Sequence, residues 1–270
     1  MPGPIALLTN PTAGKGRGAR AREAALPRLR ALGEVRDLQG ADAEEALALA
    51  REAVADGVRA LVVCGGDGLV HLAAQVLAES GVPLGIVPGG TGNDVARYVD
   101  LPHRYLEGSI DRLVEALARD RTRVLDLARA GDRWFVTVLC AGFDAVVNER
   151  ANAMRWPRGQ MRYNLATLAE LRTLAPLDYT LDLDGEQRQV QAVLVSVGNG
   201  PAFGGGLRIT EGAVLDDGLL DVVVIRPMSR LELVRTYPRL FRGTHTSHPA
   251  YEHHRVRSVR VSAPGIVTYA

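Results

Sequence analysis

Residues 60–79, ALVVCGGDGLVHLAAQVLAE, place a short apolar run directly before a glycine-rich turn and a stretch with helical spacing. The run at 60–64 predicts a buried strand, and the pattern at 69–79 predicts a helix. Glycine lets the backbone approach an anion closely, and a helix N-terminus carries partial positive charge. The turn between them, GGDG at 65–68, is therefore a candidate phosphate-binding loop.

The order of strand and glycine-rich turn recurs on both sides of this stretch. A strand at 5–9 precedes NPTAGKGRG at 10–18, and a strand at 84–87 precedes PGGTGND at 88–94. Further helices are predicted at residues 19–32 and 43–55. Strands that alternate with helices indicate a parallel sheet, which binds ligands at the carboxyl ends of its strands. We therefore expect an α/β domain with a Rossmann-like parallel sheet and all three loops at one edge.

The second half of the chain has a different pattern, with short strand-like runs in close succession. Strands are predicted at residues 122–130, 133–140, 179–183, 187–197, 219–225 and 256–262, helices at 164–174 and 231–241, and hairpin turns at 131–132 and 184–185. Such a succession is typical of an antiparallel sandwich or barrel. We place the boundary near residue 125, which gives an α/β domain at 1–125 and a mainly antiparallel β-sandwich domain at 126–270.

Composition excludes several classes of protein. The chain has 270 residues, 47% of them hydrophobic, and a formal net charge of +1, so neither disorder nor a basic nucleic-acid-binding surface is expected. Cys64 and Cys140 lie in apolar runs and predict buried thiols without a disulfide framework. No targeting segment is visible, and no apolar run approaches the roughly 20 residues of a membrane span. We expect a soluble, cytoplasmic protein.

These motifs, in this order, resemble the catalytic family of diacylglycerol kinases. The resemblance rests on NPxAG at 10–14, GGDG at 65–68 and PGGTGND at 88–94, and continues in VLDL at 124–127, AGFD at 141–144, GNG at 198–200 and LDDGLLD at 215–221. That family also contains sphingosine and ceramide kinases, and its GGDG loop relates it to NAD kinases and phosphofructokinases. The resemblance implies a phosphofructokinase-like first domain and transfer of the γ-phosphoryl group of ATP, with Mg²⁺, to a lipid hydroxyl. Diacylglycerol is the expected acceptor, and phosphatidic acid the expected product.

The resemblance also implies roles for individual residues. The nucleotide would be bound by Asn10, Thr12, Gly65, Gly66, Asp67, Gly68, Leu69, His71, Gly90, Thr91 and Asn93. The catalytic Mg²⁺ would be held by Asp67, Asp126 and Asp94, partly through water, since hard oxygen ligands suit this ion. A second, structural metal would be bound by Asp217 with the backbone carbonyls of Val214 and Leu219. From the residues alone, Asp217 also suits a plain turn and Asp126 a solvated strand position.

The sequence departs from the family pattern in two places. Leu69 stands where the family has a threonine after GGDG. The family continues after a strand similar to residues 267–269 with an Asp-Gly-Glu triplet, whose aspartate is the catalytic base. The given sequence ends at Ala270, where that triplet would begin, so either the chain continues or the base is missing. We therefore assign no general base.

Partners of other kinds are also expected from the sequence. Residues 150–163 mix Met154, Trp156, Met161 and Tyr163 with four arginines, which suits either an interfacial segment at the inner membrane face or a loop packed on its domain. The adjacent residues His253 and His254 would point to opposite faces of a strand, so no metal site is expected there. A homodimer is compatible with the sequence. Alternative functions are an NAD kinase or other small-molecule kinase, and a nucleotide- or lipid-binding regulator without turnover.

Overall fold

The chain folds into two compact units, Met1–Val136 and Thr137–Ala270. The computed structural model describes residues 3–10, 16–142, 147, 150, 153, 154, 156, 160–170, 175–265, 268 and 269. Sequence patterns place the boundary about ten residues earlier, near residue 125. The difference arises because Gln75 fixes the following hairpin to the first unit: its side-chain amide donates to the carbonyl of Trp134 (2.7 Å) and accepts from the N–H of Trp134 (3.0 Å).

The first unit is an α/β structure with a four-stranded parallel sheet of order β2-β1-β3-β4. Its elements are β1 Ile5–Thr9, α1 Arg17–Arg30, β2 Val35–Gln39, α2 Ala43–Ala55, β3 Ala60–Gly65, α3 Asp67–Leu77, β4 Leu84–Pro88, α4 Asp94–Tyr98, α5 Leu106–Ala118, β5 Ala128–Ala130 and β6 Arg133–Phe135. The last two strands form an antiparallel pair. The predicted parallel α/β fold is confirmed.

Alternation along the central strands builds an apolar layer on each face of this sheet. Ala6 and Leu8 of β1 face the layer formed with α2 and α3, whereas Ile5 and Leu7 face the layer formed with α1 and α5. Because both faces are covered, β1 and β3 are buried along their whole length. Two neighbouring strands that are buried at every position therefore form the middle of the sheet.

Several element boundaries differ from the predictions. The helices α1 and α3 each begin two residues earlier than predicted, which places Asp67 in the first turn of α3. The strand predicted at 122–130 is wrong except for its last three residues, since β5 covers only Ala128–Ala130. β2, α4 and α5 were not predicted. β2, with the sequence VRDLQ, lies at the edge of the sheet and has no buried residue, so it lacks the apolar run that identified β1 and β3.

The second unit is built from antiparallel sheets, as predicted. Its elements are β7 Val138–Gly142, α6 Gln160–Glu170, β8 Leu177–Leu183, β9 Glu186–Ala192, β10 Leu194–Gly198, β11 Leu220–Ile225, α7 Arg230–Leu240, a 3-10 helix Thr244–Ser247, β12 Tyr251–Val256, β13 Val259–Ser262 and β14 Thr268–Tyr269. One sheet has the order β12-β11-β10-β7-β14 and the other the order β13-β8-β9. Among the described residues, no helix is long and apolar enough to cross a bilayer.

Three predicted strands of this half each span two strands in different sheets, and one of them, 256–262, contains the last residue of β12 and all of β13. Residues 187–197 contain β9 and β10, which separate at Val193, and residues 133–140 contain β6 and the start of β7. A continuous β-type run in the sequence does not show where a chain leaves one sheet for another. The predicted turn at Asp184 and Gly185 does join β8 to β9, and both residues have positive φ (53° and 93°), as in a tight hairpin turn.

Candidate functional site

Three glycine-rich segments meet at one edge of the parallel sheet, because they follow the adjacent strands β1, β3 and β4. A β-carbon placed on Gly89 would stand 3.2 Å from the α-carbon of Gly18 and 3.4 Å from that of Gly65. Gly90 is closer still to the second loop, since its β-carbon would stand 2.4 Å from the α-carbon of Gly66. The three loops therefore touch through their backbones, and side chains at these contacts would push them apart.

Hydrogen bonds fix this arrangement. The N–H of Gly89 donates to the carbonyl of Gly65 (2.8 Å), which continues the strand pairing into the loops. Arg17, at the start of α1, donates from Nη2 to Oγ1 of Thr91 in the third loop (3.0 Å). This contact joins segments that are 74 residues apart in the sequence. The first and third loops are thus held together by a side chain as well as by glycine contacts.

Two helices begin at this edge without a side-chain cap. The N-cap residues of α1 and α3 are Gly16 and Gly66, and neither helix has a capping hydrogen bond from a side chain. In contrast, Asp42 caps α2 by accepting from the N–H groups of Glu44 and Glu45. First-turn amides without an internal acceptor, close to bare glycine backbone, suit the oxygens of a phosphate group. The donor set at this edge therefore fits a polyphosphate.

Asp67 occupies the first position of α3, beside these amides. Its Oδ1 accepts a hydrogen bond from the backbone N–H of Val95 (3.1 Å), so it also supports the first turn of α4. That contact uses one carboxylate oxygen and leaves Oδ2 as the oxygen that could bind a cation. A carboxylate at the edge of a phosphate-binding loop is a suitable ligand for Mg²⁺.

The other two acidic residues assigned to Mg²⁺ lie in different surroundings. Asp94 is buried at the start of α4 and forms an ion pair with Arg97 (Oδ1 to Nη1, 2.8 Å), so its charge already has a partner. Asp126 is half-buried in the irregular segment before β5, next to Leu127, which packs on the core of the first unit. All three belong to the first unit, and their roles as metal ligands remain predictions.

Two predicted nucleotide ligands use their side chains within the protein, which limits how they could contact a nucleotide. The side chain of Leu69 belongs to the apolar core, so only its backbone could contact a ligand. Leucine therefore fills this position by packing, without the hydroxyl of the threonine that the family has there. Asn93 uses its side-chain amide on Gly90, accepting from its N–H (2.9 Å) and donating to its carbonyl (3.2 Å). Asn10 is half-buried at the end of β1, and Thr12 lies outside the described residues.

His71 lies one turn into α3 and is half-buried against the hairpin that follows residue 125. Burial lowers its pKa, and the nearby Arg133 guanidinium lowers it further. Its Nε2 lies 3.4 Å from the side-chain nitrogen of Gln75. His71 therefore favours the neutral form and is unsuited to act as a positive ligand for phosphate.

The second unit shows what surrounds the predicted structural metal site. Asp217 accepts from the N–H of Leu219 through Oδ1 (3.0 Å), and its Oδ2 forms an ion pair with Arg255 of β12. The guanidinium of Arg255 also lies 3.8 Å from the buried carboxylate of Asp221. A metal ion at Asp217 would have to displace this guanidinium. These residues do not fit a resident metal, and we derive no step from one.

The histidines near the end of the chain contact different acidic residues. Nε2 of His253 lies 2.6 Å from Oδ1 of Asp221, whereas Nε2 of His254 lies 3.5 Å from Oε1 of Glu252. Burial raises the pKa of Asp221, and the adjacent His253 and Arg255 oppose this rise. Among the described residues, no group of three His, Cys, Asp or Glu side chains could hold a metal ion.

The sequence analysis did not identify four residues that make contacts at these sites. They are Arg17, Gly18 and Gly89, where the glycine-rich loops meet, and Arg255, which pairs with Asp217. Arg17 and Gly18 end the glycine-rich segment at 10–18, so their position was visible although their contacts were not. For Arg255 no local signal exists, because its partner Asp217 is 38 residues away. The motif residues Phe143 and Asp144 lie outside the described part of the chain.

A parallel α/β unit with three glycine-rich loops at one sheet edge, followed by an antiparallel β unit, suits the class of phosphotransferases. The sequence model of the diacylglycerol kinase catalytic domain matches residues 4–130, and that of the YegS C-terminal NAD kinase beta sandwich-like domain matches residues 137–270. A diacylglycerol kinase of Mycobacterium tuberculosis (strain CDC 1551 / Oshkosh) is 43% identical over 275 residues, covering 99% of this chain and 88% of the relative.

More distant relatives agree. A diacylglycerol kinase of Staphylococcus aureus (strain bovine RF122 / ET3-1) is 24% identical, covering 95% of this chain and 81% of its own length. The crystal structure of a diacylglycerol kinase from Bacillus anthracis str. Sterne superposes with a TM-score of 0.75 at 24% identity, covering 98% and 88% of the two chains. The present chain belongs to the diacylglycerol kinase family and is a lipid kinase of that family.

Proposed function

We propose that this protein transfers the γ-phosphoryl group of ATP, with Mg²⁺, to the free hydroxyl of diacylglycerol and forms phosphatidic acid. The observation that supports ATP as the phosphoryl donor is the contact of three glycine-rich loops. This contact lies beside the starts of α1 and α3, which have no side-chain cap. Two such helix starts at one sheet edge provide backbone donors for more than one phosphate group. A triphosphate matches this set better than a single phosphate would.

In this reaction the acceptor oxygen attacks the γ-phosphorus, the bond to ADP breaks, and the hydroxyl proton passes to a base. Phosphoryl transfer depends mainly on positioning and on stabilising the charge of the phosphate oxygens. When bound, Mg²⁺ neutralises part of that charge, and Asp67 is the residue best placed to hold it. The glycine contacts at Gly66 and Gly90 keep the loop backbone accessible, and Asp67 links α3 to α4. No described residue is assigned as the base.

The acceptor is inferred from the relatives. The 43% identical M. tuberculosis protein and the S. aureus protein are both diacylglycerol kinases, and the former matches this chain over 99% of its length. Because identity at this level preserves a fold more reliably than a substrate, the acceptor needs its own test. NAD is the informative competitor, since the match to the second unit names an NAD kinase-like sandwich.

A lipid acceptor also requires contact with a membrane, and residues 150–163 contribute one candidate surface. Trp156 is 78% exposed, and Met161 on α6 is also exposed. Met154 instead packs on Val147 and Ala166, so only part of the segment is available. We propose that Trp156 inserts at the membrane interface, at the cytoplasmic face where ATP is present. Trp156→Ala should weaken co-sedimentation with lipid vesicles, and unchanged binding would contradict this role.

The decisive experiment compares Asp67→Asn with the wild-type protein in mixed micelles of diacylglycerol, ATP and Mg²⁺. Asparagine keeps an oxygen for the Val95 N–H and removes only the charge, so the fold should persist. We expect phosphorylation to fall by about 100-fold, the range for loss of one transition-state charge partner. Asp132→Asn, in an exposed turn of the same unit, is the matched control. Wild-type turnover by Asp67→Asn, or phosphorylation of NAD but not of diacylglycerol, would overturn the proposal.

A further inference from the structure

The helix α7 (Arg230–Leu240) has no buried residue, although it carries several large apolar side chains. Leu231 is 58% exposed, Val234 43% and Phe241, just past the helix end, 37%. Together with the exposed Pro238 they follow the spacing i, i+3, i+7 and i+10, which places them on one face of the helix. We call these four residues the α7 strip.

Arginines border the α7 strip on both sides. At about 100° per residue, Arg230 falls beyond one edge of the strip, and Arg235 and Arg242 fall beyond the other. All three are exposed, and none of them takes part in an ion pair within the described part of the chain. The outward face of α7 is therefore apolar in the middle and positive along both margins.

Negative charge is scarce in the segment that forms this face, where the one carboxylate, Glu232, is near enough to Arg235 for their charges to interact. Residues 228–242 contain four arginines and one acidic residue, Glu232, in a chain whose formal net charge is only +1. Glu232 lies on another side of the helix and is used in a capping box, where it accepts from the N–H (2.9 Å) and hydroxyl (2.7 Å) of Ser229. The hydrogen bonds from Ser229 hold the pKa of Glu232 below its ordinary value. The charge pattern thus favours an anionic partner.

The opposite side of α7 holds the helix in place. Leu240 packs on the core of the five-stranded sheet, and Arg239 donates to the hydroxyl of Ser247 (2.9 Å) in the 3-10 helix. At the border of the strip, the ring of Tyr237 meets that of Phe241 edge to face, with centroids 5.8 Å apart. Because one side of α7 is anchored to its unit, the strip is presented as a fixed surface.

We propose that the outward face of α7 docks the protein on an anionic lipid bilayer, with the α7 strip in the acyl boundary and the flanking arginines at lipid phosphates. An apolar face bordered by arginine is the pattern of a helix that lies in a membrane interface. The inference deepens the proposed function, because a kinase of bilayer lipids must reach its substrate at the membrane surface.

The test measures binding of the full chain to vesicles of phosphatidylglycerol and phosphatidylcholine, and to vesicles of phosphatidylcholine alone. The variant Arg230→Gln/Arg235→Gln/Arg242→Gln should bind the anionic vesicles at least about tenfold more weakly, since each arginine near the surface contributes about fivefold. The matched control Arg30→Gln/Arg51→Gln/Arg104→Gln removes the same charge from exposed positions of the first unit and should bind normally.

A second variant tests the apolar contribution. Leu231→Ser/Val234→Ser should also bind vesicles about tenfold more weakly, whereas Val124→Ser, at another exposed apolar position, should not. Neither variant removes a buried side chain, so both proteins should fold. Unchanged vesicle binding in either α7 variant overturns the proposal. The proposal is also overturned if the wild-type protein is a dimer, Leu231→Ser/Val234→Ser dissociates that dimer, and vesicle binding stays intact. The strip would then be an interface between copies of the chain.

Phosphorylation of a short-chain diacylglycerol that is dissolved as monomers separates this inference from the proposed function. The α7 variants should keep wild-type turnover of the dissolved acceptor and lose turnover of the same lipid in anionic vesicles. If the wild-type protein binds vesicles through α7 but phosphorylates neither acceptor, the proposed function fails and the docking surface stands.

Discussion

Gly90 and Gly66 lie so close that a β-carbon on Gly90 would stand 2.4 Å from the α-carbon of Gly66 and 2.9 Å from Oδ1 of Asn93. Neither residue has positive φ, so glycine is required here by space and not by backbone conformation. The second and third loops can approach each other only because these two positions lack side chains.

Gly90→Ala should therefore separate these loops. The added methyl group meets backbone on one side, so we expect a destabilisation of about 1–3 kcal/mol, as for other overpacked sites, together with weaker ATP binding. The melting temperature and ATP titration calorimetry measure the two effects.

Gly68→Ala is the matched control for stability, since a β-carbon there meets nothing within 4 Å. Alanine in a helix is up to about 1 kcal/mol more stable than glycine, so this variant should melt at or above the wild-type temperature. Equal melting of Gly90→Ala and wild type would contradict the contact described here.

The contact between Arg17 and Thr91 gives a second prediction. Thr91→Val removes the hydroxyl that accepts from the guanidinium (3.0 Å) while keeping the shape of the side chain. Loss of a hydrogen bond to a charged group at an exposed site should weaken ATP binding by about three- to tenfold. Thr91→Ser keeps the hydroxyl and should bind ATP as the wild type does. Equal ATP affinity in Thr91→Val and Thr91→Ser would exclude a role for this contact.

Arg255 leads to a prediction about metal removal. Because its guanidinium already pairs with Asp217, EDTA should leave the melting temperature of the nucleotide-free protein unchanged.

Arg255→Met should lower the free energy of unfolding by about 1–2 kcal/mol, since Asp217 and the buried Asp221 lose a positive partner. Added Mg²⁺ should then raise the melting temperature of Arg255→Met more than that of the wild type. A drop in the wild-type melting temperature with EDTA that disappears in Asp217→Asn would show that a metal is resident there.

His245 should make stability depend on pH. Its ring is buried, with Nε2 3.2 Å from the carbonyl of Ile209, and this burial lowers its pKa below the ordinary value of 6.5. As pH falls through 6.5, the unfolded chain takes up a proton at this residue before the folded chain does, so stability falls with pH in that range. His245→Gln should be less stable at pH 8 but lose stability less steeply between about pH 7 and pH 5. Parallel pH profiles for the two proteins, measured by urea unfolding, would contradict this assignment.

The sequence predicted the features that local patterns encode. Uninterrupted apolar runs at β1 and β3 indicated a sheet covered on both faces, and the glycine-rich segments after β1, β3 and β4 indicated loops at one edge. Both predictions are confirmed, because the burial pattern of a strand and the lack of a side chain at glycine are visible within a few residues of sequence. The change to antiparallel strands in the second half was visible for the same reason.

The tertiary structure alone decided how side chains are used. Leu69 and Asn93 belong to loop motifs, yet one packs in the core and the other bonds to its own loop. Arg17 meets Thr91 across 74 residues, and Arg255 meets Asp217 across 38. Such contacts depend on which distant segments the fold brings together, and the spacing of neighbouring residues in the sequence does not encode this. The exposure of the α7 strip is decided in the same way, since the sequence shows that α7 is amphipathic but only packing determines which face is left in solvent.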